Sequence, residues 1–218
     1  MDRLNGATRE ERDYLLGAPI INRSLRGDIT LQDYVAFLTQ AFHHVRHTVP
    51  LLMATGARLP QEKEWLREAV AEYIEEELGH QEWILNDIAA CGFDKEQARE
   101  SAPSFATEMM VAYAYDTVQR GNPVGFFGMV HVLEGTSVAI ADKAADAIRD
   151  ALNLPEKAFS YLRSHGALDI EHCAFFESLM NRIDDPADQA QIIHSAKAFY
   201  RLYGNIFRTL TNDIAMAA

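Results

Sequence analysis

Apolar side chains recur along this chain at three- and four-residue intervals, and polar ones fill the positions between. That spacing is the signature of helices with one buried face. A short helix is predicted around Arg9–Gly17. The next follows "GDIT", where Thr30 can cap it and Leu31, Tyr34, Leu38 and Phe42 form the apolar stripe towards Leu52. Pro50 lies inside that stretch and predicts a bend or break just before it. A third helix is expected from about Gln61 to Ala90, with Gly92 placed to end it. A fourth spans Ser104–Arg120, closed by "GNP", and a fifth runs from near Pro123 to about Leu152. The sixth opens near Pro155 and reaches Arg182; the last starts at "DDPADQ" and continues to roughly Asp213.

No alternating run of β-branched residues, internal repeat or linker interrupts this pattern. The expectation is an all-α fold, one compact domain over 1–218 built as a bundle of about seven helices. With 48% hydrophobic residues in 218, the chain can bury a sizeable core.

Charge narrows the partners. A formal net charge of −12 and no basic stripe argue against nucleic acid and against an anionic membrane surface. The apolar runs "GFFGMV" and "VPLLMA" are too short to span a bilayer, and the start has no secretory h-region. Cys91 and Cys173 make no framework, which fits a reducing, cytoplasmic setting. The expected partner is a small-molecule substrate, and a homodimer is an assembly left open.

The chemistry concentrates on three helices. "SHGALDIEH" places His165, Asp169 and His172 at i, i+4 and i+7. At about 100° per residue they fall within roughly 60° of one another, on one narrow stripe. "EYIEEELGHQEW" offers Glu77 and His80 three residues apart, and a Glu-x-x-His pair is a recurring di-metal ligand unit on bundle helices. Such a pair also arises by chance on a solvated acidic face. Between Gly125 and Ile140 the ionisable side chains are His131 and Glu134 alone, so Glu134 is a costly carboxylate unless it is paired, bound to metal or turned outward.

Three carboxylates and three imidazoles, with no thiolate among them, suit iron or manganese better than a structural zinc. His165 and His172 lie roughly 10 Å apart along a helix axis, too far for one ion but suited to two ions about 3.5–4 Å apart. The ferritin-like pattern asks for a Glu from each of two helices and a Glu-x-x-His from two more, and this chain lacks one of those glutamates.

"EEELGH", "HVLEG" and "HGALDIEH", in that order, resemble the haem-oxygenase-like di-iron oxidases and oxygenases, a branch of the superfamily that includes thiaminase II-type and pyrroloquinoline-quinone-synthase-type proteins. The resemblance covers roughly residues 10–212. It implies the haem-oxygenase-like fold without haem, and metal ligation by Glu77 (or Glu76), His80, Glu134, His165, Asp169 and His172. It further implies two Fe(II) per chain, with manganese as an alternative, and O₂ as co-substrate in the oxidation of a small acid, amine or amino-acid-derived substrate. A metal-free thiaminase-like hydrolase with a cysteine nucleophile, and a non-catalytic metal-binding protein, are the competing readings. His131, one turn before Glu134, is a candidate for orienting it; Arg46, or equally Arg163, for holding a substrate carboxylate. Packing is the plainer expectation for His43, His44, His47 and Cys173.

Overall fold

The computed structural model describes residues 1–210, apart from the side chains of residues 165–172. Among the described residues there are twelve α-helices and no strand. They are α1 (Asp2–Ala7), α2 (Arg9–Leu16), α3 (Pro19–Ser24), α4 (Leu31–Val45), α5 (Thr48–Arg58) and α6 (Glu64–Glu77). After these come α7 (His80–Ala90), α8 (Lys95–Glu100), α9 (Phe105–Gln119), α10 (Phe126–Leu152), α11 (Ser160–Arg182) and α12 (Pro186–Thr209).

The all-α expectation holds, and the helix count exceeds seven for two reasons. The short α1, α3 and α8 have six residues each, too few for a periodic stripe to show. Two of the predicted helices are also broken. The first breaks at Arg46–His47, before Pro50, as the proline predicts. The second, expected to be continuous over 61–90, breaks at Leu78–Gly79, where Gly79 takes φ +91°. A left-handed residue costs glycine little and cannot continue a right-handed helix.

The chain climbs through α4 and α5, turns, and returns through α6 and α7. α5 packs on α6 and α4 on α7, so the two breaks fall at corresponding levels. α10 is the centre of the other half, with α11 and α12 against it and α9 and α3 touching it. Gly128 permits the α10–α12 approach: a Cβ there would stand 2.6 Å from Ala196 N and 2.8 Å from Ile192 O. Pro123–Leu152, α10 with the turn before it, is long and apolar enough to cross a membrane by length and composition. The short runs quoted above conceal this because small and polar residues divide them. In the fold, 61% of its most apolar stretch is buried.

Local chemistry sets the ends. Thr30 and Asp33 form a reciprocal capping box at the start of α4. Asp185 accepts from Ala187 N at the start of α12, with Pro186 in the first turn. Beyond Ala90, Gly92 N–H bonds Ala89 O and Phe93 N–H bonds Ile88 O, the paired Schellman closure that glycine's positive φ allows.

Candidate metal centre

The break in the third predicted helix sits between two of the candidate ligands. Glu77 is the last residue of α6 and His80 the first of α7. Across Leu78 and Gly79 the helix is interrupted, yet the side chains meet: His80 Nδ1 lies 3.1 Å from Glu77 Oε2. His80 is buried against Trp83, ring centroids 4.1 Å apart. Glu76 is exposed, whereas Glu77 is half-buried and faces inward. The neighbouring glutamates therefore occupy different environments.

Glu134 reaches the same place from α10. It and Glu77 line one cavity of about 60 Å³ whose walls include Leu52, Phe126, Met129 and Leu133. Two carboxylates from separate helices facing an apolar space is an arrangement that a cation stabilises, because burial alone disfavours the charged forms. His44 of α4, Tyr73 of α6, Tyr161 of α11 and Tyr203 of α12 complete the lining. Burial, then the charges of Glu134 and Glu76, hold the Tyr73 phenol well above its ordinary pKa. Burial does the same for Tyr203. Both are neutral donors at physiological pH.

The third element is placed by its helix. α11 packs against α10 and α7, beside the helices that carry Glu134 and His80. His165, Asp169 and His172 belong to α11, and their side chains lie outside the described residues. Among the described residues no three of His, Cys, Asp and Glu come together as a metal-binding group. The described donors are the Glu77–His80 pair, with Glu134 on the wall of the same cavity.

Arg46 lies apart from this cavity. It is exposed, stacks over Phe42 at 5.3 Å, and lines a separate pocket with His43, His47 and Glu108, so it does not reach this cavity. The end of α4 turns His44 and Val45 inward, the start of α5 turns Thr48 inward, and Arg46 between them is left outside. Arg163 is held at the surface by Asp142, Asp146 and Glu156. His43 contacts Ser101 Oγ at 2.9 Å and His47 the Tyr115 hydroxyl at 3.1 Å, as packed histidines do. His131 stacks on Phe176, and its Nε2 lies 3.4 Å from Tyr200 Oη on α12. Burial, with Arg12, pushes its pKa down to about 4. Cys173 is half-buried.

Sequence reasoning passed over His44, Tyr73 and Tyr203 as cavity residues. Tyr73 carried a readable signal, lying four residues before Glu77 and so on the same face of its helix. His44 and Tyr203 carried none, because their placement depends on how α4 and α12 pack.

The all-helical order, with its broken pair and central α10, defines a haem-oxygenase-like protein. The chain belongs to the family described as iron-containing redox enzymes, whose profile matches residues 35–204. Solved structures agree on the fold. A domain of unknown function with a heme oxygenase-like fold from Shewanella denitrificans OS217 is 24% identical, with a TM-score of 0.87, covering 99% of this chain and 93% of that one. A TenA homologue from Pseudomonas syringae pv. tomato is 12% identical, with a TM-score of 0.80 over 97% of this chain and 92% of its own. Heme oxygenase-1 from Synechocystis, solved in complex with heme, is 14% identical, with a TM-score of 0.75 over 99% and 94%. A comparison with curated proteins gave no match.

Proposed function

We propose that this chain is a non-haem di-iron oxidase or oxygenase acting on a small organic substrate. The observation that carries the reading is the convergence of Glu77, with His80 attached, and Glu134 on one apolar-walled cavity. The donors are oxygen and nitrogen, suited to iron or manganese, and the family is described as iron-containing. The spacing of His165, Asp169 and His172 supplies the remaining donors from α11 in this reading. Three carboxylates then oppose two divalent cations, and the charge nearly cancels.

When bound, iron supplies activation of O₂ and the electrons that reduce it. The chain supplies the surroundings. Glu77 and Glu134 would supply the negative charge that balances bound cations, and Glu77 and His80, in direct contact here, would hold one of them. Tyr73, its pKa raised by burial, keeps its proton at Oη. Leu52, Phe126, Met129 and Leu133 limit water, which strengthens every electrostatic interaction there. The protein is a cytoplasmic enzyme in this reading, with neither nucleic acid nor membrane as partner.

The test is anaerobic loading followed by oxygen uptake. Fe(II) is expected to bind at close to two ions per chain, and Asp169→Ala is expected to fold but lose both loading and turnover. Background iron and manganese binding alone would overturn the reading. Cys173→Ser is expected to keep iron-dependent uptake; loss of a metal-independent hydrolysis in that variant would favour the thiaminase-like alternative instead.

A further inference from the structure

The stretch of chain around the α4–α5 break lines two spaces. His44, Val45 and Thr48 face the cavity of Glu77 and Glu134, whereas His43, Arg46 and His47 line a surface cleft of about 270 Å³. Glu108, in the first turn of α9, lines the same cleft, and Pro103, Val111 and Ala112 give it an apolar wall. Arg46 and Glu108 carry opposite charges, yet neither makes an ion pair among the described residues. The Arg46 guanidinium instead lies over the Phe42 ring, 5.3 Å from its centroid.

His43 adds a neutral acceptor. Ser101 Oγ donates to Ala98 O at 2.8 Å, so in its 2.9 Å contact with His43 it accepts from Nε2–H. That fixes the tautomer and leaves Nδ1 with a lone pair. Burial, then the charges of Arg46 and His47, hold the His43 pKa below its ordinary value, which keeps the ring neutral at pH 7. The cleft therefore presents a cation, an anion and an acceptor across a gap that its own side chains do not close. A simple anion there is attracted by Arg46 and repelled by Glu108, and a simple cation meets the reverse. A molecule carrying both charges is attracted by both. The space exceeds the ~150 Å³ cavity that admits a benzene ring, so a small zwitterion has room.

We propose that this cleft binds a small zwitterion of the α-amino-acid class, with its carboxylate on Arg46, its ammonium on Glu108 and a short apolar side chain against Val111 and Ala112. Guanidinium suits the carboxylate because it can hold both oxygens at once. The site is separate from the cavity of Glu77 and Glu134, and it does not depend on what that cavity holds. Both charges are exposed, so each contributes only about fivefold in affinity, and binding is weak.

Equilibrium dialysis of radiolabelled L-valine against the metal-loaded full chain is the test, with isovalerate, which lacks the ammonium, and isobutylamine, which lacks the carboxylate, as competitors. Iron content and melting temperature are measured on the same preparations. L-Valine is expected to bind with a Kd on the order of 1 mM, and each competitor about fivefold or more weaker. Arg46→Gln and Glu108→Gln should each weaken L-valine about fivefold, with iron content and melting temperature unchanged. Arg46→Gln should also stop isovalerate from competing, and Glu108→Gln should stop isobutylamine. Isovalerate competing as well as L-valine overturns the proposal, because Glu108 then takes no part. L-Valine binding that both variants leave intact overturns it too, because the ligand is then held elsewhere, and so does the absence of saturable binding.

Discussion

The carboxylate of Asp87 accepts a hydrogen bond from the backbone N–H of Tyr161 at 2.9 Å, joining α7 to the first turn of α11. Its other oxygen accepts from Ser160 N at 3.1 Å and from the Ser160 hydroxyl. Asp87 is fully buried and satisfies amides that a helix start leaves without partners. One side chain thus sets where α11 begins and how Tyr161 enters the cavity wall. Asp87→Asn keeps the shape but turns an amide donor towards a donor. It is expected to lower stability by roughly 2–4 kcal/mol in urea unfolding at unchanged m-value. A loss below about 0.5 kcal/mol would mean that the turn is held by other contacts.

Gly128 and Gly135 share α10 and predict opposite outcomes. Gly128→Ala places its Cβ within 2.8 Å of α12 backbone atoms, which cannot swing aside as a side chain can. A loss of roughly 1–3 kcal/mol or more is expected. Gly135 is exposed, and a Cβ added there would meet nothing within 4 Å, so Gly135→Ala should raise stability by about 0.5–1 kcal/mol. Thermal melts of the two variants beside the wild type decide both.

His131 predicts acid sensitivity. Its folded pKa of about 4 lies below the ordinary 6.5, so the unfolded chain binds the extra proton between those values. Stability therefore falls as pH drops through 6.5 towards about 4, and this contribution stops changing below that. The full loss is roughly 3 kcal/mol. His131→Phe should cost some stability at pH 7, where Tyr200 loses its neighbour, and should unfold with a flatter dependence across that window. Parallel slopes for variant and wild type would place the titration elsewhere.

Glu134→Gln tests the facing carboxylates. Removing one charge from the cavity should raise the stability of the metal-free chain, on the order of 1 kcal/mol, and weaken Fe(II) binding at least tenfold. Fe(II) should raise the melting temperature of the wild type by mass action, and less so as pH falls and protons compete for the ligands. A metal-free variant less stable than wild type, with unchanged affinity, would assign Glu134 to a structural hydrogen bond.

The long amphipathic segments were legible from their periodicity, and Thr30, Pro50 and Gly92 marked ends and breaks correctly. What the sequence concealed was tertiary. Gly79 sits among strong helix formers, and only the conformation of the folded chain shows that it takes a positive φ and divides α6 from α7. Glu77 was readable from its spacing to His80, and Glu134 because a carboxylate in an apolar segment needs an explanation. The cavity that unites them was not readable, because it depends on α4, α6, α10, α11 and α12 closing together. Arg46 shows the same limit: its chemistry suits a carboxylate, but that it sits exposed at the break between α4 and α5, away from this cavity, is set by the fold.

In an unbroken helix the vector between residues three apart is a constant of the backbone. Between Glu77 and His80 it is a variable, because the torsions of Leu78 and Gly79 set it. The two donors stand on either side of a joint, and each belongs to a helix packed independently, α6 on α5 and α7 on α4. Their spacing can therefore be retuned by substitutions at two residues that belong to neither helix, one of them exposed and the other with open space around it. Selection can adjust how far apart the two side chains stand without rebuilding the scaffold.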